Sequence, residues 1–283
     1  FSLNEIVILV SIYAASVVRL MPSATRISAS IQRIVFFKPL VNLMSKEFKL
    51  KIKNSTYKGT KYLTNFKSLR LSNVSFNYNQ SINILSNINL EINNNTISCF
   101  VGKNGSGKTT LINIISGLLA PTKGKVFYNE NSKLNKFSLK FGYVAQNINL
   151  IDDTIKNNII FGNDIEKFDK ENFINSIEHS GINDFIEKLP KKFNTFVGDR
   201  GIKISGGQSQ RIGIARAIYN NPDILILDEF NSNLDVLSEK KIIKNLNKLK
   251  KNKTILIITH KKSIIKFCDN AFLIKDKKLI KIK

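Results

Sequence analysis

One short segment limits the fold more than any other stretch of the chain. GKNGSGKTT (Gly102 to Thr110) directly follows the apolar run ISCFV and leads into LINIISGLL. ISCFV reads as a buried strand and LINIISGLL as a helix, so the order is strand, glycine-rich turn, helix. Gly102, Gly105 and Gly107 let the backbone turn tightly and approach an anion closely. The N–H groups of the turn, which also contains Lys103, Asn104, Ser106 and Thr110, and the start of the following helix aim donors at anionic oxygens. Lys108 adds a point charge suited to β- and γ-phosphates, and Thr109 a hydroxyl suited to a divalent cation. A glycine-rich turn with a chance lysine would lack the flanking strand and helix. The pattern therefore reads as a polyphosphate cradle in an α/β domain.

Two further segments carry chemistry. In ILILDE (Ile224 to Glu229), four apolar residues form a buried strand and two carboxylates emerge at its end. Alone this is only a strand reaching solvent. With a phosphate loop upstream, Asp228 is placed to hold Mg²⁺, directly or through water, and Glu229 to polarise an attacking water as general base. Between the two lies ISGGQSQR (Ile204 to Arg211). Ser205 suits a helix N-cap, and Gly206 and Gly207 leave backbone donors bare at a helix start. One nucleotide on one chain does not require this second anion site.

In this order the three segments resemble the nucleotide-binding domain of the ABC ATPase family, from about residue 68 to the end of the chain. The resemblance implies ATP and Mg²⁺ as ligands. It also implies a second ABC subunit as partner, whose bound ATP is contacted by Ser205, Gly206, Gly207 and Gln208. Lys108, Glu229 and His260 (in ITHK) become the expected catalytic set, and Thr109, Gln146 (in YVAQN) and Asp228 the expected Mg²⁺ site. Tyr78 corresponds to the aromatic residue that stacks on adenine, and Asp235 (in NSNLD) to a loop aspartate that communicates across the dimer. Ile204 replaces the more usual Leu and keeps an apolar anchor. Asn231 and Asn233 replace the more usual Thr and Ala, which removes no catalytic group. His179 falls in a helical stretch and reads as structural or surface.

The implied fold is α/β, with a RecA-like phosphate-loop core, an antiparallel β part and an inserted helical subdomain. Its most clearly helical stretch is Phe173 to Leu189. Residues 45–67 are Lys-rich and weakly patterned, as a linker would be. Residues 1–44 read as mostly helical, with Pro22 and Pro39 expected to kink or end helices. The apolar run Ile6 to Val18 is too short to span a bilayer, which needs about 20 residues. It matches the end of a truncated transmembrane helix. Arg19, Arg26, Arg33 and Lys38 follow it, which puts the downstream side in the cytoplasm by the positive-inside rule.

After Gln146, NINLIDDTIKNNIIFG resembles ABC exporters, as does LPKKFNTFVGDRG before the signature, with Asp199 where many exporters have Glu. Such proteins fuse membrane helices and ATPase on one chain. VVRLMPSATRISASIQRI resembles the end of the last membrane helix in bacterial PglK-type flippases of lipid-linked oligosaccharides. The expected setting is a bacterial inner membrane with the ATPase domain in the cytoplasm. The expected partners are a second ABC subunit, either a second copy of the chain or a different one, the membrane and a lipid-linked or amphipathic cargo, with lipid A, another lipid or a peptide as the alternative cargo. The net charge of +23 would also suit a nucleic-acid ATPase. Yet lysines are scattered through nearly every segment, and neither the long coiled coil nor the tandem ATPase domains of such proteins are seen, so nucleic acid is not an expected partner. Cys99 and Cys268 form no CxxC spacing and suggest neither a disulfide framework nor a metal site.

Overall fold

A computed structural model describes residues 3–49, 66–79, 82–129, 132–133, 139–231 and 234–283. The chain divides into two compact units, residues 1–59 and 60–283. In the first, α1 (Leu3–Lys49) is one unbroken helix, so the expected ends at Pro22 and Pro39 do not occur and the helix passes the boundary read at residue 44. Each proline removes one backbone donor. The Thr25 hydroxyl donates to the Pro22 carbonyl, and Ser11, Ser16 and Ser30 donate to carbonyls one turn back, so these hydroxyls find partners within the helix itself. Its described side chains are exposed from end to end. Residues Ile6–Phe48 are long and apolar enough to cross a membrane by length and composition. Apolar residues continue past Val18 between single cations, and that is why the span exceeds the short run first read. The rest of the linker, residues 50–65, lies outside the described residues.

The second unit opens with β1 (Ser68–Asn79), β2 (Ile82–Asn93) and β3 (Ile97–Val101), followed by α2 (Lys108–Ile115). Next come β4 (Lys123–Tyr128), β5 (Ser132–Lys133) and β6 (Phe141–Val144). A helical stretch holds α3 (Ile155–Ile159), α4 (Lys170–Ser180) and α5 (Asn183–Ile186). Gly181, at φ +68°, ends α4, so the helix read over 173–189 is two helices. α6 (Gly206–Tyr219), β7 (Ile224–Asp228), α7 (Val236–Leu249), β8 (Thr254–Ile258), α8 (Lys262–Phe267), β9 (Asn270–Lys275) and β10 (Lys278–Lys281) complete it.

Two sheets form, an antiparallel one in the order β2-β1-β4-β5 and a second in the order β10-β9-β3-β8-β7-β6. The second is parallel throughout except for β10, which pairs antiparallel with β9 at the edge. Its central strands β3 and β8 are buried at every position, as a parallel sheet covered on both faces requires. One core packs the two sheets and α2 together around Phe100, Leu111, Ile226 and Leu256. A second lies under α6, α7 and α8, and there Cys99 and Cys268 are both buried as free thiols. A third joins the helical stretch to α6 through Ile155, Phe173, Ile212 and Tyr219.

At Gly142, a Cβ would stand 2.5 Å from the Ala217 carbonyl oxygen and 3.0 Å from Pro222. β6 therefore reaches α6 only because this residue has no side chain. Overpacking of this kind costs about 1–3 kcal/mol. Gly142→Ala should lower the urea midpoint accordingly, and unchanged stability would show that β6 can move off α6. Asp269 accepts from the Ile97 amide (2.8 Å) and Lys250 Nζ (2.7 Å). Partial burial raises its pKa, but these bonds outweigh it and hold the group below the ordinary carboxylate value. A depressed acid stabilises the fold above its unfolded-state pKa and loses that contribution as pH falls through the folded value. Asp269→Asn should flatten the acid side of the stability–pH curve, and an unchanged slope would exclude the contribution.

Candidate active site

The site is built where neighbouring parallel strands end on one edge of the sheet, the usual place for ligands in open α/β folds. β3 ends in the glycine-rich loop, β8 in Thr259 and His260, β7 in Asp228 and Glu229, and β6 runs toward Gln146. In the loop, Lys108 Nζ donates to the carbonyls of Gly102 (2.9 Å) and Lys103 (3.0 Å), and its side chain is buried. Gly107 caps α2 at φ +100°, where a Cβ would come within 3.0 Å of Ile84 and Leu85, so glycine is needed for both backbone and space. Tyr78, on β1, is 57% exposed and packs edge-on to Phe76 with centroids 4.9 Å apart. Its hydroxyl lies 3.3 Å from Thr110 Oγ1, which ties the ring to the start of α2.

Glu229 is the most constrained side chain of the site. Gln146 Nε2 donates to its Oε2 (2.9 Å), and His260 Nδ1 lies 3.4 Å from its Oε1. Its backbone has φ +45°, a left-handed conformation that costs a non-glycine residue roughly 1–2 kcal/mol, and its amide donates to the Ile258 carbonyl. The turn thus swings one carboxylate out of line with the strand, so Asp228 and Glu229 take separate positions. Asp228 accepts from the Tyr143 hydroxyl (2.8 Å). Burial raises the Asp228 pKa and the neighbouring Glu229 adds to the rise, against the Tyr143 hydrogen bond and the charge of Lys108. Burial and the carboxylate push the Tyr143 phenol upward as well, so it stays a donor.

Asp235 caps α7 by accepting the Ser238 amide, and its contacts with Ser238 keep its carboxyl below the ordinary range. Beside it lies a clamp that sequence reading missed. Lys261 Nζ donates to the Asn231 carbonyl (2.9 Å) and to Glu239 Oε2 (3.0 Å). Asn231 Nδ2 and Ser263 Oγ also donate to the Glu239 carboxylate. Burial would raise the Glu239 pKa, but these donors lower it on balance. The clamp fixes the segment after Glu229 to the segment after His260. Tyr143 was also missed. It is the exposed position of the short strand FGYV, and nothing in that alternation says that it faces a carboxylate. Asn233 lies outside the described residues.

Ser205 caps α6 in a reciprocal box, Gln208 N donating to Ser205 Oγ (3.3 Å) and Ser205 N to Gln208 Oε1 (3.0 Å). Gly206 and Gly207 open the helix. Among the described residues, no hydrogen bond or ion pair joins this cap to the phosphate loop or to Glu229. His179 lies in the last turn of α4, and burial lowers its pKa. Lys261→Met should release the clamp between the segments that follow Glu229 and His260 and cut nucleotide hydrolysis about tenfold while leaving nucleotide binding in place, because effective catalysis depends on close positioning. Lys261→Arg should restore part of it. Parental turnover in the Met variant would refute the positioning role.

Residues 85–232, just over half of the chain, match the ABC transporter family. The chain is 40% identical over 232 residues to the ATP-dependent lipid A-core flippase 2 of Colwellia psychrerythraea, covering 78% of this chain and 39% of that protein. It is 36% identical over 213 residues to the multidrug resistance ABC transporter ATP-binding and permease protein of Lactococcus lactis, covering 74% of this chain and 36% of that protein. The chain therefore spans well under half the length of these relatives. A solved bacterial Atm1-family ABC exporter with ATP bound superposes with a TM-score of 0.71 at 28% identity, covering 79% of this chain and 40% of that one. The chain belongs to the ABC transporter family, and its second unit is the ATPase domain.

Proposed function

We propose that this chain supplies the ATP-hydrolysing half-site of a dimeric ABC exporter. The observation that carries the reading is Glu229, held between Gln146 and His260 at the strand edge that also carries the phosphate loop. Each ATP lies between GKNGSGKTT of one copy and the Ser205–Gln208 cap of a second. Gly206 and Gly207 open α6, and among the described residues no acidic side chain bonds to their amides, which supports an anion from a second copy at this helix start. Glu229 takes a proton from the attacking water, and His260 holds the γ-phosphate from the other side. Tyr78 carries the adenine. Lys108 exchanges its two loop carbonyls for phosphate oxygens.

The oxygen donors present suit Mg²⁺. Tyr143 occupies one Asp228 oxygen and leaves the other open, Gln146 uses only its N–H on Glu229, and the Thr109 side chain is exposed. When bound, the cation neutralises charge on the phosphates. Binding of ATP closes the pair and hydrolysis reopens it, and α1 carries that movement toward membrane helices. The cargo is an amphipathic lipid, and among such cargoes a lipid-linked oligosaccharide. The support is the RLMPS segment of α1 together with a relative that is itself a lipid A-core flippase. The setting is a bacterial inner membrane with this domain in the cytoplasm, in keeping with Arg19, Arg26, Arg33 and Lys38 beyond the apolar run.

Glu229→Gln should bind ATP and stay a closed dimer, with turnover lowered by at least about a hundredfold. Light scattering and phosphate release read the two properties, and parental hydrolysis would remove Glu229 as the base. Lys108→Ala should lose nucleotide binding by equilibrium titration. Retained affinity would sink the phosphate-loop reading.

A further inference from the structure

A cleft of about 560 Å³ opens in the helical stretch, between α3, the start of α4 and residues 190–194. Its size falls in the range of small-molecule sites, roughly 300–1,000 Å³. The residues of the ATPase chemistry do not line it. The wall is mostly carbon. Phe173 stands edge-on to Phe168 and to Phe193, with both centroid separations 5.3 Å, so the three rings form one continuous aromatic surface. Such edge-on packing offers no parallel pair to sandwich a flat base.

The rim is cationic. Lys156 Nζ sits 4.2 Å above the centre of the Phe168 ring, and Lys170, Lys191 and Lys192 complete the rim. Among the described residues none of these four lysines forms an ion pair. The nearby Asp169 carboxylate accepts the amide and side chain of Asn172 and forms no ion pair with these lysines, so the rim keeps a net positive charge. Lys192 also holds a left-handed backbone at φ +44°, a strained conformation for a residue with a side chain. Four lysines without carboxylate partners around an apolar floor form an unbalanced field, and a ligand with one anionic end and a carbon body balances both parts.

We infer that this cleft binds a single-chain anionic amphiphile, with the acyl chain against Phe168, Phe173 and Phe193 and a carboxylate or phosphate head on the lysine rim. The amphiphile is a ligand of the ATPase domain at this place, separate from any cargo handled elsewhere. The inference does not rest on the ATPase mechanism. It is tested on the full chain in nanodiscs of zwitterionic phosphatidylcholine, with a diazirine-bearing palmitate as photoprobe and peptide mass spectrometry as readout. Labels should appear on peptides covering residues 156–174 and 190–194. The double variant Lys156→Gln/Lys192→Gln should lower that labelling about fivefold or more, the loss expected from two charge contacts, one partly exposed and one exposed. Ile174→Glu, at a side chain 54% exposed, should do the same by a different route without disturbing the core. Labelling of α1 by probe dissolved in the bilayer serves as the internal standard, and ATP hydrolysis reports folding. Displacement by unlabelled palmitate but not lysophosphatidate assigns a carboxylate head, and the reverse a phosphate head. Either result sustains the site. Equal cleft labelling by a zwitterionic lysophosphatidylcholine probe, indifference to both variants, labels on α1 alone, or displacement by neither competitor would overturn it.

Discussion

The common edge of the parallel sheet is the constraint on which the rest of this structure depends. β6, β7, β8 and β3 are neighbours in the sheet, and each delivers its next residues to the same side. The strands are far apart in sequence, yet Tyr143, Asp228, Glu229, His260 and Lys108 fall into one neighbourhood because a parallel register admits no other exit. Everything that holds the strands flush therefore acts on the site. The close approach of β6 to α6 at Gly142 does so, as does the bond from Asp269 to the start of β3.

Within that neighbourhood the charges are kept apart by geometry. Two adjacent carboxylates at a strand end would repel if they pointed the same way. The left-handed turn at Glu229 separates them, with Asp228 meeting Tyr143 and Glu229 meeting Gln146 and His260. The strain of that turn is retained because the Glu229 amide is bonded to Ile258 and the following segment is clamped through Lys261 and Glu239. The clamp is partly buried and every oxygen of the Glu239 carboxylate has a donor, the condition under which a polar network adds rigidity. The signature cap stands apart from this set. Its N-terminus is organised by the reciprocal Ser205–Gln208 box, and among the described residues no hydrogen bond ties it to the phosphate loop or to Glu229.

The two units of the chain place their apolar residues differently. In the ATPase domain, apolar residues are inward and polar side chains form networks between elements. In α1 the apolar residues are outward, and the hydroxyls of Ser11, Ser16, Thr25 and Ser30 bond back to their own helix. These hydroxyls thus need no partner outside the helix, a property compatible with the length and apolar composition of Ile6–Phe48.

Local pattern by itself determined the phosphate loop, the buried strands ISCFV, ILILD and TILII, the cap at Ser205 and the presence of an apolar helix at the N-terminus. Each is written in a few consecutive residues whose conformation depends on their own sterics and hydrogen bonds. Neither proline ends the helix, because a proline's cost in a helix is a local preference, and α1 continues through both Pro22 and Pro39. Gly181 was overlooked as a break because its neighbours keep helical spacing on both sides. Tyr143 on Asp228, Lys261 on Glu239 and the lysine-rimmed aromatic cleft were decided only by the tertiary structure. Their members come from segments distant in sequence, and no residue of such a pair carries a mark of its partner until sheet order and helix packing bring them together.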